Sequence, residues 1–323
     1  MIQENQSSVG QSSSHSIQNE AKKIMLTSGQ EEISNSSKVV TSLIAGAVAG
    51  GLAKTIIAPL DRTKINFQIK NIPFSFHEAY KFIVISYKES GLTSLWRGNS
   101  ATMARVLPYA AIQYTSHEQL KRLLGVETNE DKRKHPIRSY IAGSLAGVIS
   151  TSLTYPLDLA RARMAVTHRE KYNSLGAVFR KTIKREGLTA VYKGYFPTLF
   201  GVIPYAGTSF FTYETLKRLH HDYYGPADPH PLERLVFGAI AGLLGQSASY
   251  PLDIVRRRMQ TQPGSMTIFG VLNKVFVEEG IIHGLYKGLS LNWVKGPIAV
   301  GVSFTTFDLV TKFLRDLSFF TGF

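Results

Sequence analysis

The chain has no cysteine, which excludes disulfides, thiolate metal sites and cysteine nucleophiles while leaving the redox compartment open. It also lacks a Gly-x-x-x-x-Gly-Lys-Ser/Thr phosphate loop, a zinc-type histidine pair and a nucleophile elbow. The 9 histidines are scattered; the His220-His221 pair reads as a solvated helix terminus. Nothing therefore points to an enzyme, a resident cofactor or a metal. Acidic residues are scarce, 23 against 37 lysines and arginines, a net charge of +14 that suits an anionic partner. Clean apolar runs of about 20 residues are few, and mean hydropathy is −0.03. Helices that line a water path read this way, because only part of each faces lipid.

Residues 1–37 are rich in Ser, Gln and Glu and poor in apolar side chains, the composition of a disordered polar tail. They show neither the apolar core of a secretory signal nor the arginine-rich, acid-poor character of a mitochondrial transit peptide.

The rest of the chain is repetitive. IIAPLDRTKINFQ (Ile56 to Gln68), LTYPLDLARARMA (Leu153 to Ala165) and ASYPLDIVRRRMQ (Ala248 to Gln260) align, their prolines Pro59, Pro156 and Pro251 standing 97 and 95 residues apart. Repeats are expected at 38–130, 131–228 and 229–323. Glycines precede each proline at Gly46 and Gly50, Gly143 and Gly147, and Gly238 and Gly242, a small-xxx-small face on which membrane helices are expected to pack. Downstream come Ser90-Gly91, Glu186-Gly187 and Glu279-Gly280, then Trp96-Arg97-Gly98, Tyr192-Lys193-Gly194 and Tyr286-Lys287-Gly288. The third stretch, with His283-Gly284, is one residue longer. A second apolar segment closes each unit at His117-Glu118, Tyr213-Glu214 and Phe307-Asp308. One unit reads as membrane helix, short amphipathic helix, membrane helix.

Three Pro-x-Asp-x-x-Lys/Arg elements with these downstream motifs resemble the mitochondrial carrier family. The resemblance implies an all-α membrane protein with six transmembrane helices in three pseudo-symmetric repeats, each with a short amphipathic matrix helix. It implies a multi-pass protein of the mitochondrial inner membrane, and a monomer is expected. It also implies pairing between repeats, Asp61 with Arg161, Asp158 with Arg256 and Asp253 with Lys64, as a ring closing the matrix end. Gln68 and Gln260 stand one helical turn beyond the basic partner and are placed to brace two pairs; Ala165 cannot. At the cytosolic mouth Glu118 and Lys121, and Glu214 and Lys217, offer a second ring, with Asp308 followed by Thr311 where a base is expected. Intramembrane charge is costly, so symmetry-related acid–base sets favour a gating role over static staples. The aromatic-base-glycine elements at Gly98, Gly194 and Gly288 are candidates for holding a membrane lipid, cardiolipin, on helix N-terminal amides, or for capping alone.

Positions that break the threefold pattern carry specificity. Lys54, Thr151 and Gln246 each stand five residues before their proline, and Arg105, Gly201 and Lys295 each stand 13 residues before the terminal acid. The latter three resemble the family's substrate contact points. Gly201-Val202 would form a flat slot for adenine, with glycine-mediated packing as the alternative, while Lys54, Arg105 and Lys295 would hold phosphates. Phe237 to Met259 and Asn292 to Asp308 resemble the coenzyme A carriers within the family. A small nucleotide-containing substrate is implied: coenzyme A, dephospho-coenzyme A or adenosine 3',5'-diphosphate exchanged against adenine nucleotides, with a pantetheine arm along Tyr109, Gln113 and Tyr205. ADP/ATP and ATP-Mg/phosphate exchange stay open. A soluble nucleic-acid-binding protein would use the same positive charge but gives no role to the repeated motifs, so no nucleic-acid partner is expected.

Overall fold

The computed structural model describes residues 35–167, 171–225, 228–262, 264 and 266–316. The tail expected over residues 1–37 lies outside the described residues up to residue 34, and Asn35 to Ser37 already form the first turn of a helix. Helix begins earlier than expected because Asn and Ser at a helix start do not oppose it.

Among the described residues the regular structure is helix, with no strand. Helices run over Asn35–Ile69 (α1), Phe76–Ser90 (α2), Asn99–Leu123 (α3), Asn129–Lys134 (α4), Pro136–Ala165 (α5), Leu175–Glu186 (α6), Tyr195–Tyr224 (α7), Pro231–Thr261 (α8), Ile268–Glu279 (α9) and Leu289–Asp316 (α10). The long ones, α1, α3, α5, α7, α8 and α10, form three pairs, each joined through a short helix. By length and apolar content alone, spans in α1, in α8 and over Ile281–Arg315 suffice to cross a membrane. The chain divides into two compact units. One comprises residues 49–304 and contains most of the sequence-derived site; the other combines the start of α1 with the end of α10.

Each short helix is punctuated in the same way. Ser75, Ser174 and Thr267 cap α2, α6 and α9 by accepting from the backbone N–H three residues on, at 3.1, 3.2 and 3.1 Å. Gly91, Gly187 and Gly280 end them at φ 73, 88 and 77°, where a side chain would be strained. Val178 on α6, and Val271 and Val275 on α9, are buried, each contributing about 1.5–3 kcal/mol to docking the helix. After these glycines the chain makes one turn. In the first two repeats it is a 3-10 turn, Leu92–Trp96 and Leu188–Tyr192. In the third it is a π turn, Ile281–Leu285, closed by Tyr286 N–H donating to Ile281 at 3.1 Å. The additional residue is absorbed by widening the turn, and Gly284 makes this possible because a Cβ there would meet Glu279 and Val275 at 2.9 Å.

Long-helix packing within the larger unit joins successive repeats, α3 with α5 and α7 with α8. The small-residue face does not lie where expected. A Cβ on Gly46, Gly50, Gly147, Gly238 or Gly242 would meet no atom within 4 Å among the described residues, and on Gly143 only His117 at 3.9 Å. The buried stripe runs one residue earlier, through Ala49 and Ala53, Ala142, Ala146 and Ser150, and Ala241 and Gly245. Gly245 marks the tightest approach: a Cβ there would lie 2.7 Å from the Tyr205 carbonyl and collide with Ser209, whose hydroxyl donates to the Ala241 carbonyl at 3.0 Å. Alanine and serine satisfy the small-xxx-small requirement, so glycine spacing pointed to the wrong register.

Candidate substrate site and acid–base ring

The repeated motif places its acid and base one turn apart, so each helix can offer an acid to one neighbour and a base to the other. Asp61 pairs with Arg161, Asp158 with Arg256 at 2.5 Å, and Asp253 with Lys64 at 2.6 Å. The pairs run from repeat 1 to 2, from 2 to 3 and from 3 back to 1. Gln68 donates to Asp253 at 3.1 Å and to the Tyr250 hydroxyl at 3.2 Å; Gln260 donates to Asp158 at 2.8 Å and to the Tyr155 hydroxyl at 2.9 Å. At the third position Ala165 contributes only its carbonyl, which accepts from Arg62 at 3.2 Å and Asn66 at 3.0 Å.

Sequence reading missed a further ring. Seven residues past each proline stand Asn66, Arg163 and Arg258. Each donates to a backbone carbonyl near the end of another repeat's first helix: Asn66 to Ala165, Arg163 to Gln260 at 2.9 Å and Arg258 to Gln68 at 3.1 Å. These carbonyls have no intrahelical partner at a helix end. Arg163 also grips Glu186 through two hydrogen bonds of 2.5 and 2.9 Å, and Glu186 accepts from Lys193 at 2.6 Å. Arg258 meets Glu279 at 2.5 Å, and Glu279 pairs with Lys287. For the acid contacts alone a signal was available, since the conspicuous acid-glycine and base-glycine elements needed a partner. Glu186 lies on the surface helix α6, and these hydrogen bonds from Arg163, with burial opposing, lower its pKa from 4.5 to about 2.

Gly98, Gly194 and Gly288 begin α3, α7 and α10 at φ 90, 80 and 77°. A Cβ on Gly98 would stand 2.9 Å from the Arg161 carbonyl, and on Gly194 2.9 Å from the Arg256 carbonyl. Close approach to the next repeat thus requires glycine at two of these positions.

At the opposite end Glu118 pairs with Lys121 of its own helix at 2.5 Å. Glu214 and Lys217 are exposed, and no ion pair joins them to each other among the described residues. Asp308 belongs to the other compact unit. His220 departs from the solvated-terminus reading. Its ring packs against Tyr224 and Phe237, and its Nε2 lies 3.1 Å from Glu233. The helix continues four residues beyond it and presents it to α8 rather than to water.

The positions that break symmetry fall near the acid–base ring. Lys295 donates to Asp61 at 2.7 Å. Arg105 donates to Thr154 at 3.1 Å, lies 3.5 Å from Asp158 and covers the Tyr109 ring at 4.9 Å. Lys54 is exposed, within electrostatic reach of Asp61, Lys295 and Arg105. A cavity of about 330 Å³ is lined by Gly201, Val202, Tyr205, Gln246 and Lys295, with Lys64, Asp253, Arg256 and Arg257 among its polar walls. A Cβ on Gly201 would meet only Leu252, at 3.8 Å, an ordinary contact. Helix packing therefore does not require this glycine, and its missing side chain widens the cavity. Arg105, Lys54 and Gln113 are not in this wall; Gln113 is exposed, two turns beyond Arg105 on α3.

The mitochondrial carrier protein family matches this sequence three times, over residues 35–128, 132–224 and 227–318. The chain is 56% identical over 288 residues to the mitochondrial coenzyme A transporter SLC25A42 of Xenopus tropicalis, covering 88% of each. To the protein of that name from Rattus norvegicus it is 57% identical over 290 residues, 88% of this chain and 91% of that one. Mitochondrial substrate carrier family protein P of Dictyostelium discoideum is 37% identical over 288 residues, 85% and 95% of the two chains.

Proposed function

Because the chain belongs to the mitochondrial carrier family, a group of multi-pass inner-membrane transporters, we propose that it carries coenzyme A, taking the adenine end between Gly201-Val202 and the cationic wall and exchanging it against adenine nucleotides. The observation that carries this reading is the cavity itself, which Gly201, with no side chain, lines together with Lys295 and Arg256. A flat slot beside fixed cations suits an aromatic base tethered to phosphates. Arg105, stacked on Tyr109, and the exposed Lys54 extend positive charge beyond the slot for a diphosphate.

The acid–base pairs serve as one gate of an alternating-access cycle. Asp61, Asp158 and Asp253 are all paired across repeats, whereas at the opposite end Glu118 is held within its own helix and Glu214 and Lys217 are exposed, with no ion pair to each other among the described residues. This supports reading the chain as a carrier closed at the proline-motif end, where cargo binding offsets the loss of one ring against the gain of the other.

Purified protein in liposomes tests the reading. Preloaded with ADP, the vesicles accumulate labelled coenzyme A, and external dephospho-coenzyme A and adenosine 3',5'-diphosphate compete. Uptake restricted to ADP and ATP would reject the coenzyme reading and leave the family assignment standing.

A further inference from the structure

Arg257 stands six residues past Pro251, and the same register holds Ile65 in repeat 1 and Ala162 in repeat 2. All three positions are buried. Two carry apolar side chains; the third carries a guanidinium, which threefold packing neither requires nor explains. Each acid of the ring already has its own base, so Arg257 is surplus to the pairing. Its nearest carboxylate oxygens are Asp158 at 3.6 Å and Asp253 at 4.0 Å, beyond hydrogen-bond distance. The side-chain hydrogen bond it makes among the described residues is to the Gln260 side chain, at 2.9 Å, and its buried Nε has no hydrogen-bond partner among them. A guanidinium has five donors in a rigid fork, and leaving them unmet in a buried site is costly. Arg257 lines the same cavity as Gly201, Val202 and Lys295.

We propose that Arg257 is a specificity-determining ligand of the cargo, which binds a phosphate monoester and lets the site tell a cargo bearing that group from one without it. The inference rests on the coenzyme A reading of the same cavity. A monoester near neutral pH carries close to two charges and three strong acceptor oxygens, enough to occupy a fork edge on one phosphorus; each phosphorus of a diphosphate diester carries one charge. With the base in the Gly201-Val202 slot, the monoester on the adjoining ribose is within reach of the same cavity wall. Without cargo, Arg257 rests between Asp158 and Asp253. With cargo it turns to the phosphate, and both acids lose a neighbouring positive charge as the ring must open.

The test compares coenzyme A with dephospho-coenzyme A, which differ by that monoester, in liposomes carrying the full chain, Arg257→Ile or Arg257→Lys. Wild-type protein takes up coenzyme A at lower half-saturating concentration than the dephospho form. In Arg257→Ile both uptakes weaken, but coenzyme A loses about 10-fold more, the scale of one charge-assisted hydrogen bond, and the preference collapses; Arg257→Lys keeps part of it. Equal losses for both cargoes would reduce Arg257 to a packing residue and overturn the proposal, as would unchanged uptake of both. If Arg257→Ile does not fold, Arg257→Lys is read by the same ratio. Should wild-type protein move only ADP and ATP, the coenzyme reading fails and the proposal falls with it, whereas equal losses in a protein whose wild type does carry coenzyme A overturn the Arg257 assignment alone.

Discussion

Repeat 3 and repeat 1 solve the same problem with opposite chemistry. In repeat 3, Arg258, Glu279 and Lys287 form an ionic bracket with side chains 5%, 2% and 1% exposed. In repeat 1 the corresponding residues are Asn66, Ser90 and Arg97, so the central acid is gone. There Asn66 donates to the carbonyls of Arg62 and Ala165, both at 3.0 Å. Arg97 turns to the carbonyls of Met164 at 3.0 Å, Thr167 at 2.5 Å and Tyr172 at 3.0 Å. Repeat 2 lies between, its Glu186 and Lys193 being 25% and 22% exposed. The shared requirement is a donor for the carbonyls where a helix of another repeat ends. The charge is a variable added to it, and its worth should follow burial.

The largest effect is expected from Glu279→Ala. It leaves two buried cations without their acid, which costs about 3–5 kcal/mol, and is read as the drop in thermal midpoint of detergent-solubilised protein. Glu186→Ala should cost less, about 1.5 kcal/mol, because solvent reaches that acid. Equal drops would break the link between burial and worth.

Glu186 also carries a pH signature. Its pKa falls on folding, from 4.5 to about 2, so the stability it supplies is complete above about pH 4.5 and is lost as pH falls toward 2. Titrating wild-type protein and Glu186→Gln from pH 6 to pH 2.5 should show the two midpoints converging at low pH, the gap at pH 6 being at most ~2–4 °C. A gap that widened on acidification would contradict the bracket.

Much of this was legible in the sequence, for reasons that differ by residue. The ring of Asp61, Asp158 and Asp253 is readable because the threefold motif carries the family resemblance, which implies the pairing between repeats. The short-helix caps follow from local rules that need only a Ser or Thr and a Gly. Carbonyl donation by Asn66, Arg163 and Arg258 was not legible, since the acceptor is backbone and leaves no mark on residue identity. The packing stripe was misread because glycine is conspicuous and alanine is not, though both meet the size limit. Arg257 passed unnoticed inside an Arg-Arg-Arg run, where its neighbours already explained the charge.

The smallest effect comes from exchanging the two chemistries. Ser90 is exposed, so Ser90→Ala should change stability by no more than about 0.5 kcal/mol. The sharper version moves the bracket of repeat 2 into repeat 1 as Asn66→Arg with Ser90→Glu. Asn66→Arg alone puts a third guanidinium beside Arg62 and Arg97 without the acid that Arg163 has, and should destabilise. Ser90→Glu alone should be nearly neutral, because the new acid is on the surface. If the carbonyl is the fixed requirement, the introduced arginine still reaches Ala165 while the new glutamate takes its other edge, and the double variant recovers most of the single loss. A double-mutant cycle on thermal midpoints would then show a coupling of about 0.5–1 kcal/mol. A coupling of zero would mean that repeat 1 has lost the geometry for an ionic bracket along with its residues.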